Sequence, residues 1–331
     1  MNIKEEIIQA TAEYFNDAID YAELKRASDS YKNLLLRISD DDLNNEDGRT
    51  DLEFLNGKAI GPYWAALCVD DLIRTRQFIR GIDEALKDKL STNDKIHILY
   101  AGTGPFATLL LPILFRYPPD KIKYTFLEIN QYSHLVLKRI LSGAGFDEFN
   151  VDLLNEDATK FKFGDDKPDI IVSETMQNAL AKEQQVPIFM NFINQSDANT
   201  VLIPEKVEIS VGLKQSGVPI EKISRKHYQK INKVFELSRE AILNSDSRKK
   251  LNESEFPLTI TTLSDSECKN AGQIVLLTEI QVYKNEHIRI TESGLTTPII
   301  IDDISSFTGK TVTIKTQYKI GNEPKLDFQF I

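Results

Sequence analysis

Histidine, methionine, cysteine and tryptophan are scarce in this chain of 331 residues, which has four, three, two and one of them. The two cysteines, Cys68 and Cys268, stand far apart, and no Cys or His pair has the short spacing of a zinc site, so no structural metal is expected. A long apolar run is missing too. The longest, Phe106 to Phe115, is broken by Thr108 and Pro112 and falls short of the ~20 residues that cross a bilayer. The opening MNIKEEIIQATAEYF carries two acids where a secretion signal would have basic residues and an apolar stretch. The expectation is a soluble protein of a reducing, cytoplasmic compartment with no membrane partner. Basic charge is also short: 40 Lys and Arg stand against 50 Asp and Glu, a formal charge of −10. That sign does not suit a phosphate-binding surface, so no nucleic acid partner is expected. The acidity concentrates in residues 1–90, with 12 Lys and Arg against 19 Asp and Glu.

What is present is a folding composition, 41% hydrophobic and 27% charged, in a chain long enough for two domains. Apolar residues recur at helical spacing over 4–38 (Ile8, Ala12, Phe15, Ile19, then Leu34, Leu35, Ile38), and DDDLNNEDGR at 40–49 ends the helices as a solvated loop. Another helical pattern runs from Pro62 to about Leu90. The period then changes. Strand-like runs at 96–100, 124–128, 150–154 and 169–173 alternate with helical 106–116 and 131–142, which predicts a parallel sheet wrapped by helices. Beyond Pro204, six strand-like segments surround a helical insertion at about 219–244. The expected class is α/β: a helical amino-terminal extension (1–61), a Rossmann-like sheet domain (62–204) and a β-barrel-like domain with a helical arm (205–331).

Ligands of such sheets sit at the carboxyl ends of the strands. Gly102-Thr-Gly104, between a strand and a helix, lets a ligand approach the backbone, although a tight turn needs glycine for structural reasons as well. Glu128 ends the next strand, 26 residues on, where a carboxylate can accept both hydroxyls of a ribose; otherwise it is a solvated strand end. Asp157-Ala158, after the third strand, could meet an adenine edge or could be plain loop. The fourth strand leads into Ser173-Glu174-Thr-Met-Gln-Asn-Ala-Leu-Ala-Lys-Glu183. Nine helical positions turn through about 900°, so Glu174 and Glu183 would oppose one another on a continuous helix and converge only if 174–183 is a loop. Converging, they would clamp a cationic group. On a helix they would be an amino-terminal Glu and a surface Glu.

Together these pieces resemble the protein arginine methyltransferase family. SETMQNALAKE is similar to its double-glutamate pattern, in which two Glu hold the substrate guanidinium, with Gln177 in place of a usual Gly. Asp71-Leu-Ile-Arg74-Thr75 resembles its helix motif, whose arginine holds the carboxylate of S-adenosylmethionine. Tyr100-Ala101-Gly102-Thr-Gly104-Pro-Phe106 resembles its glycine loop, with Tyr100 for the first glycine. The family's Thr-His-Trp motif is absent, and Thr296-Thr297-Pro298-Ile299 occupies the region. The resemblance implies S-adenosylmethionine as cofactor, held by Arg74, Ala101, Gly102, Gly104, Glu128, Asp157 and Ala158. It further implies Glu174 and Glu183 as the catalytic pair, acting on a guanidino or other cationic nitrogen of a peptide, protein or small molecule. A homodimer joined by the 219–244 arm is implied as well. Two other readings stay open: a degenerate methyltransferase fold serving as a binding or scaffold protein, and a nicotinamide oxidoreductase suggested by Gly102-x-Gly104-x-x-Ala107.

Overall fold

The computed structural model describes residues 2–244, 256–307 and 311–331. Helices α1 (Ile3–Ala10) and α2 (Tyr21–Ser39) open the chain. Asp20 starts α2 by accepting from the backbone N–H of Ala22 and Glu23, and Asp40, left-handed at φ 51°, ends it. The buried face of α2 docks on the rest of the molecule: Ser28 Oγ donates to Val69 O and Tyr31 Oη to Thr108 O. The acidic loop contains a short helix, α3 (Glu46–Arg49), and then an antiparallel hairpin that periodicity does not reveal, β1 (Leu52–Phe54) and β2 (Gly57–Ala59). The pattern from Pro62 divides into α4 (Pro62–Leu67) and α5 (Leu72–Leu90), because Asp71 takes an extended conformation and caps the second helix.

A parallel sheet follows, made of β3 (Ile96–Ala101), β4 (Ile122–Leu127), β5 (Asn150–Leu154), β6 (Ile170–Ser173) and β7 (Val201–Ile203), with α6 (Leu111–Leu114), α7 (Gln131–Gly143) and α8 (Gln185–Ile193) between them. Its order is β5-β4-β3-β6-β7. The chain therefore leaves β3 in one direction and returns on its other side at β6, and the crevice at that reversal is where such sheets bind ligands. Every residue of β3 is buried, as a central parallel strand covered on both faces should be.

The remaining strands are β8 (Lys206–Gln215), β9 (Tyr228–Ser238), β10 (Thr259–Leu263), β11 (Ala271–Tyr283), β12 (Glu286–Ile288), β13 (Ile299–Asp303), β14 (Val312–Lys319) and β15 (Lys325–Phe330), with α9 (Arg239–Asn244) and α10 (Asp265–Cys268). They form one antiparallel sheet in the order β12-β11-β8-β9, with β13 on β11, and another in the order β10-β14-β15. Phe235 of the first sheet stacks on Tyr318 of the second, ring centroids 4.3 Å apart, and so joins them. This corrects the helical reading of 219–244. Residues 228–238 are a strand paired along β8, and only Arg239–Asn244 is α-helical. Among the described residues no helix is long and apolar enough to cross a membrane.

Candidate active site

A cavity of about 610 Å3 opens at the carboxyl ends of β3, β4 and β6, walled also by the first turn of α5, the amino-terminal hairpin and the loop after β12. β3 delivers the glycine turn. Gly102 and Gly104 are left-handed at φ 71° and 60°, and a Cβ on Gly102 would stand 2.1 Å from Thr175 Cγ2, so only glycine lets this turn lie against the loop beyond β6. Ala101 is buried inside the strand and off the cavity wall, whereas Tyr100 lies on it.

Glu128 follows β4 and is buried beside the glycine turn. Its Oε2 accepts from Gly104 N at 2.7 Å and Thr103 Oγ1 at 3.4 Å, and its Oε1 from Asn130 N at 2.8 Å. Burial raises its carboxyl to about 7 despite these donors. Asp157 turns away from the wall: its carboxylate accepts from Thr159 N and Oγ1 and pairs with Lys160. The wall at that point is Glu156 and Ala158. The Asp157 side chain is thus engaged by its own turn, while the chain beside it, at Glu156 and Ala158, lines the cavity. Glu156 stands two residues beyond the end of β5, a position that strand counting would have found.

The first turn of α5 presents Arg74, whose backbone N–H donates to the capping carboxylate of Asp71 at 3.2 Å. The other oxygen of Asp71 accepts from Ser293 Oγ at 2.6 Å and Gly294 N at 2.9 Å. Thus the loop after β12 meets the site through Ser293 and Gly294, while Thr296, buried, donates to Arg289 O. The Arg74 guanidinium is ion-paired with Glu174 Oε2. Glu174 Oε1, fully buried, has no hydrogen-bond partner among the described residues.

Residues 174–183 form a loop, tightened by left-handed Ala179, Leu180 and Lys182. Thr175 and Gln185 bond across its neck, Ala179 N donates to Thr278 Oγ1, and Lys182 N donates to Pro324 O at 2.7 Å. Glu174 and Glu183 thereby come to the same cavity. Burial pushes the Glu183 carboxyl up to about 7, against the pull of the Arg74 charge, a hydrogen bond from the Gln177 side chain and the Lys58 charge. Gln177, from within the double-glutamate motif, is a wall residue, and so are Asp51 and Lys58, which no motif announces. No group of three His, Cys, Asp or Glu side chains among the described residues could hold a metal ion.

No family model and no curated protein matches the sequence. Solved structures do match. The PRMT1 enzyme-prozyme heterotetrameric complex of Trypanosoma brucei with AdoHcy superimposes with a TM-score of 0.54 at 12% identity, over 81% of this chain and 92% of that one. Protein arginine methyltransferase 10 of Arabidopsis thaliana, in an open conformation, superimposes with a TM-score of 0.51 at 11% identity, over 81% and 97%. The chain has the arginine methyltransferase fold. This agrees with the fold expected from AGTGP, DLIRT and SETMQNALAKE. Within the arginine methyltransferase fold the cavity falls at the carboxyl ends of the parallel strands, and those three motifs supply much of its wall.

Proposed function

We propose that the chain is an S-adenosylmethionine-dependent methyltransferase whose acceptor is a guanidino or other cationic nitrogen held between Glu174 and Glu183. The observation that carries this reading is the pair of buried carboxylates on one cavity, one of them with an oxygen that no group among the described residues satisfies. A buried acceptor atom left without a donor costs ~1–3 kcal/mol, which an N–H of a bound cation would recover.

The residues present suit the cofactor. Glu128 offers about four lone-pair positions, approached by the backbone N–H groups of Gly104, Asn130 and Ile129 and by the Thr103 hydroxyl. The Thr103 hydroxyl also reaches Gly104 O at 3.0 Å. Turned there, it frees a position on Glu128 Oε2 for a ribose hydroxyl. Arg74 has donors to spare beyond its bond to Glu174 and would hold the carboxylate. Ala158 and Glu156 would flank the adenine. The T. brucei structure of this fold was solved with AdoHcy.

When bound, S-adenosylmethionine supplies a methyl group on a positively charged sulfur. The chain's part is to orient the acceptor and redistribute its charge. Glu174 Oε1 and Glu183 would accept from acceptor N–H groups and draw positive charge toward themselves, leaving another nitrogen freer to attack. Glu183, with its carboxyl near 7, is also placed to take the proton that the acceptor loses.

A homodimer in the cytoplasm completes the proposal, and light scattering at micromolar concentration tests the assembly. Two observations favour a second reading. The Arg74–Glu174 pair neutralises half of the clamp, and Tyr100 stands on the wall where a glycine was expected, features suited to a protein that binds without turnover. Incubation with heavy-methyl S-adenosylmethionine and cell extract, followed by mass spectrometry, separates the two. A labelled product supports the enzyme. Cofactor binding by calorimetry with no labelled product supports the binding protein, and neither result would overturn both.

A further inference from the structure

The hairpin of β1 and β2 belongs to the amino-terminal region that no motif explains, yet the clamp loop rests on it. Lys58 N donates to Lys182 O at 2.9 Å, and Lys58 pairs with Glu183 as an isolated parallel bridge. Gln184, which is buried, donates through Nε2 to Asn56 Oδ1 at 2.7 Å. Between these ties stands Gly57 at φ +122°. A Cβ there would meet Lys182 O at 3.0 Å, the Glu183 carbonyl carbon at 3.1 Å and Gln184 Cγ at 3.2 Å. Three successive residues with Glu183 at their centre therefore lie close against the hairpin, at a φ and a closeness that favour glycine. Three left-handed residues precede Glu183 in the loop, and its own N–H bonds only locally, to Ala181 O. Beside the bond of Lys182 N to Pro324 O, the hairpin is the non-local support that touches all three residues from Lys182 to Gln184.

We propose that the hairpin, through Asn56, Gly57 and Lys58, is the positioning element for Glu183: it sets where the second carboxylate stands in the cavity and screens it from water. The placement follows from the contacts, and its consequence for methyl transfer rests on the function proposed above. The groups facing Glu183 are Arg74 and Lys58 with positive charge, Asp51 with negative charge, and the Gln177 amide. Desolvation outweighs them all, so the titration of Glu183 reports on the screen.

The experiment follows Glu183 by 13C-carboxyl NMR in the full chain, with Glu183→Gln assigning the resonance. It compares wild type with Gly57→Ala, which pushes the loop away, and Asn56→Ala, which removes one tie and leaves the turn intact. Wider access of water should lower the midpoint from near 7 by about half a unit or more in Asn56→Ala, and further in Gly57→Ala. Affinity for S-adenosylhomocysteine should stay within about twofold, while kcat for transfer to the acceptor fraction of the extract falls about tenfold or more. An unchanged midpoint in folded Asn56→Ala overturns the proposal, and that variant decides it even if Gly57→Ala does not fold. A shifted midpoint with undiminished transfer upholds the placement and removes Glu183 from acceptor binding, so failure of the clamp shows separately.

Discussion

Glu174 and Glu183 face one cavity in different electrostatic settings, so their conservative variants should differ. Glu183→Gln keeps shape and removes one carboxylate from a cationic acceptor, at ~2–4 kcal/mol in the transition state, or roughly a 30- to 1,000-fold slower transfer. S-adenosylmethionine affinity should hold, because the contacts assigned to the cofactor lie on Glu128 and Arg74. Glu174→Gln should weaken both transfer and cofactor binding, since it takes the counter-ion from a buried guanidinium. Calorimetry beside the transfer assay checks the contrast; equal cofactor affinity in the two variants would contradict it. Glu128→Ala should weaken S-adenosylmethionine by about tenfold or more, each lost bond to a charged acceptor being worth ~1.5–3 kcal/mol. Part of that loss comes from the glycine turn, which Glu128 holds through Gly104 N–H. Glu128→Gln keeps one oxygen for that tether and should lose less. Among single residues, the sequence shows those whose type is unusual for their place: glycines in a strand-to-helix turn, acids at strand ends. It does not show that Asp157 would satisfy its own turn while Glu156 faced the cavity, because that depends on the rotation of a short loop.

At the scale of elements, legibility followed period. β3, β4 and β6 are short, largely apolar runs, β5 (Asn-Val-Asp-Leu-Leu) falls in its place in the alternation, and α5 and α7 repeat at helical spacing, so the parallel sheet could be read directly. β9 could not. Its pairing with β8 shifts register between Ile209 and Ser210 and again between Val211 and Gly212, so that Val234 and Ile231 are extra residues on the bulged strand. Each bulge breaks the alternation of period two, and Ile231, Val234, Phe235 and Leu237 then fall at intervals that imitate a helix. The hairpin β1–β2 escaped for another reason: three-residue strands are too short to show a period. The start of α5 offers a test at this scale. Asp71→Ala deletes an amino-terminal cap worth ~0.5–2 kcal/mol together with the anchor for Ser293 and Gly294. The expected result is a melting temperature lower by a few degrees and a weaker S-adenosylmethionine affinity, as Arg74 loses its fixed turn. Asp71→Asn keeps one acceptor oxygen for the cap and should recover most of the stability. If Asp71→Ala binds the cofactor like wild type, Arg74 is not positioned by this cap.

For the whole molecule, burying two carboxyls that titrate near 7 ties stability to pH. Glu128 and Glu183 would ionise near 4.5 in the unfolded chain. Between those values the folded protein holds protons that the unfolded chain has released, so stability declines as pH rises through 7. Carboxylates held below their ordinary range, such as Asp157 and Glu236, have the opposite sign, but their contribution is complete above the ordinary carboxylate range. Buried His97 is held below its ordinary 6.5 and adds stability with rising pH only up to about that value. The clean window is therefore pH 6.5 to 8, where the two glutamates together should lower stability by ~1–2 kcal/mol, a few degrees in melting temperature. Cofactor binding should run the other way, because ionised Glu128 is the stronger acceptor for ribose hydroxyls, and affinity for S-adenosylmethionine should rise over the same interval. A saturating cofactor should thus flatten the melting curve against pH. The Glu128→Gln, Glu183→Gln double variant should flatten it without cofactor. Melting scans across this window, with and without cofactor, provide the measurement. A melting temperature that rises from pH 6.5 to 8 in the free protein would show that these two carboxyls are ionised in the fold, and with that the burial argument for both would fail.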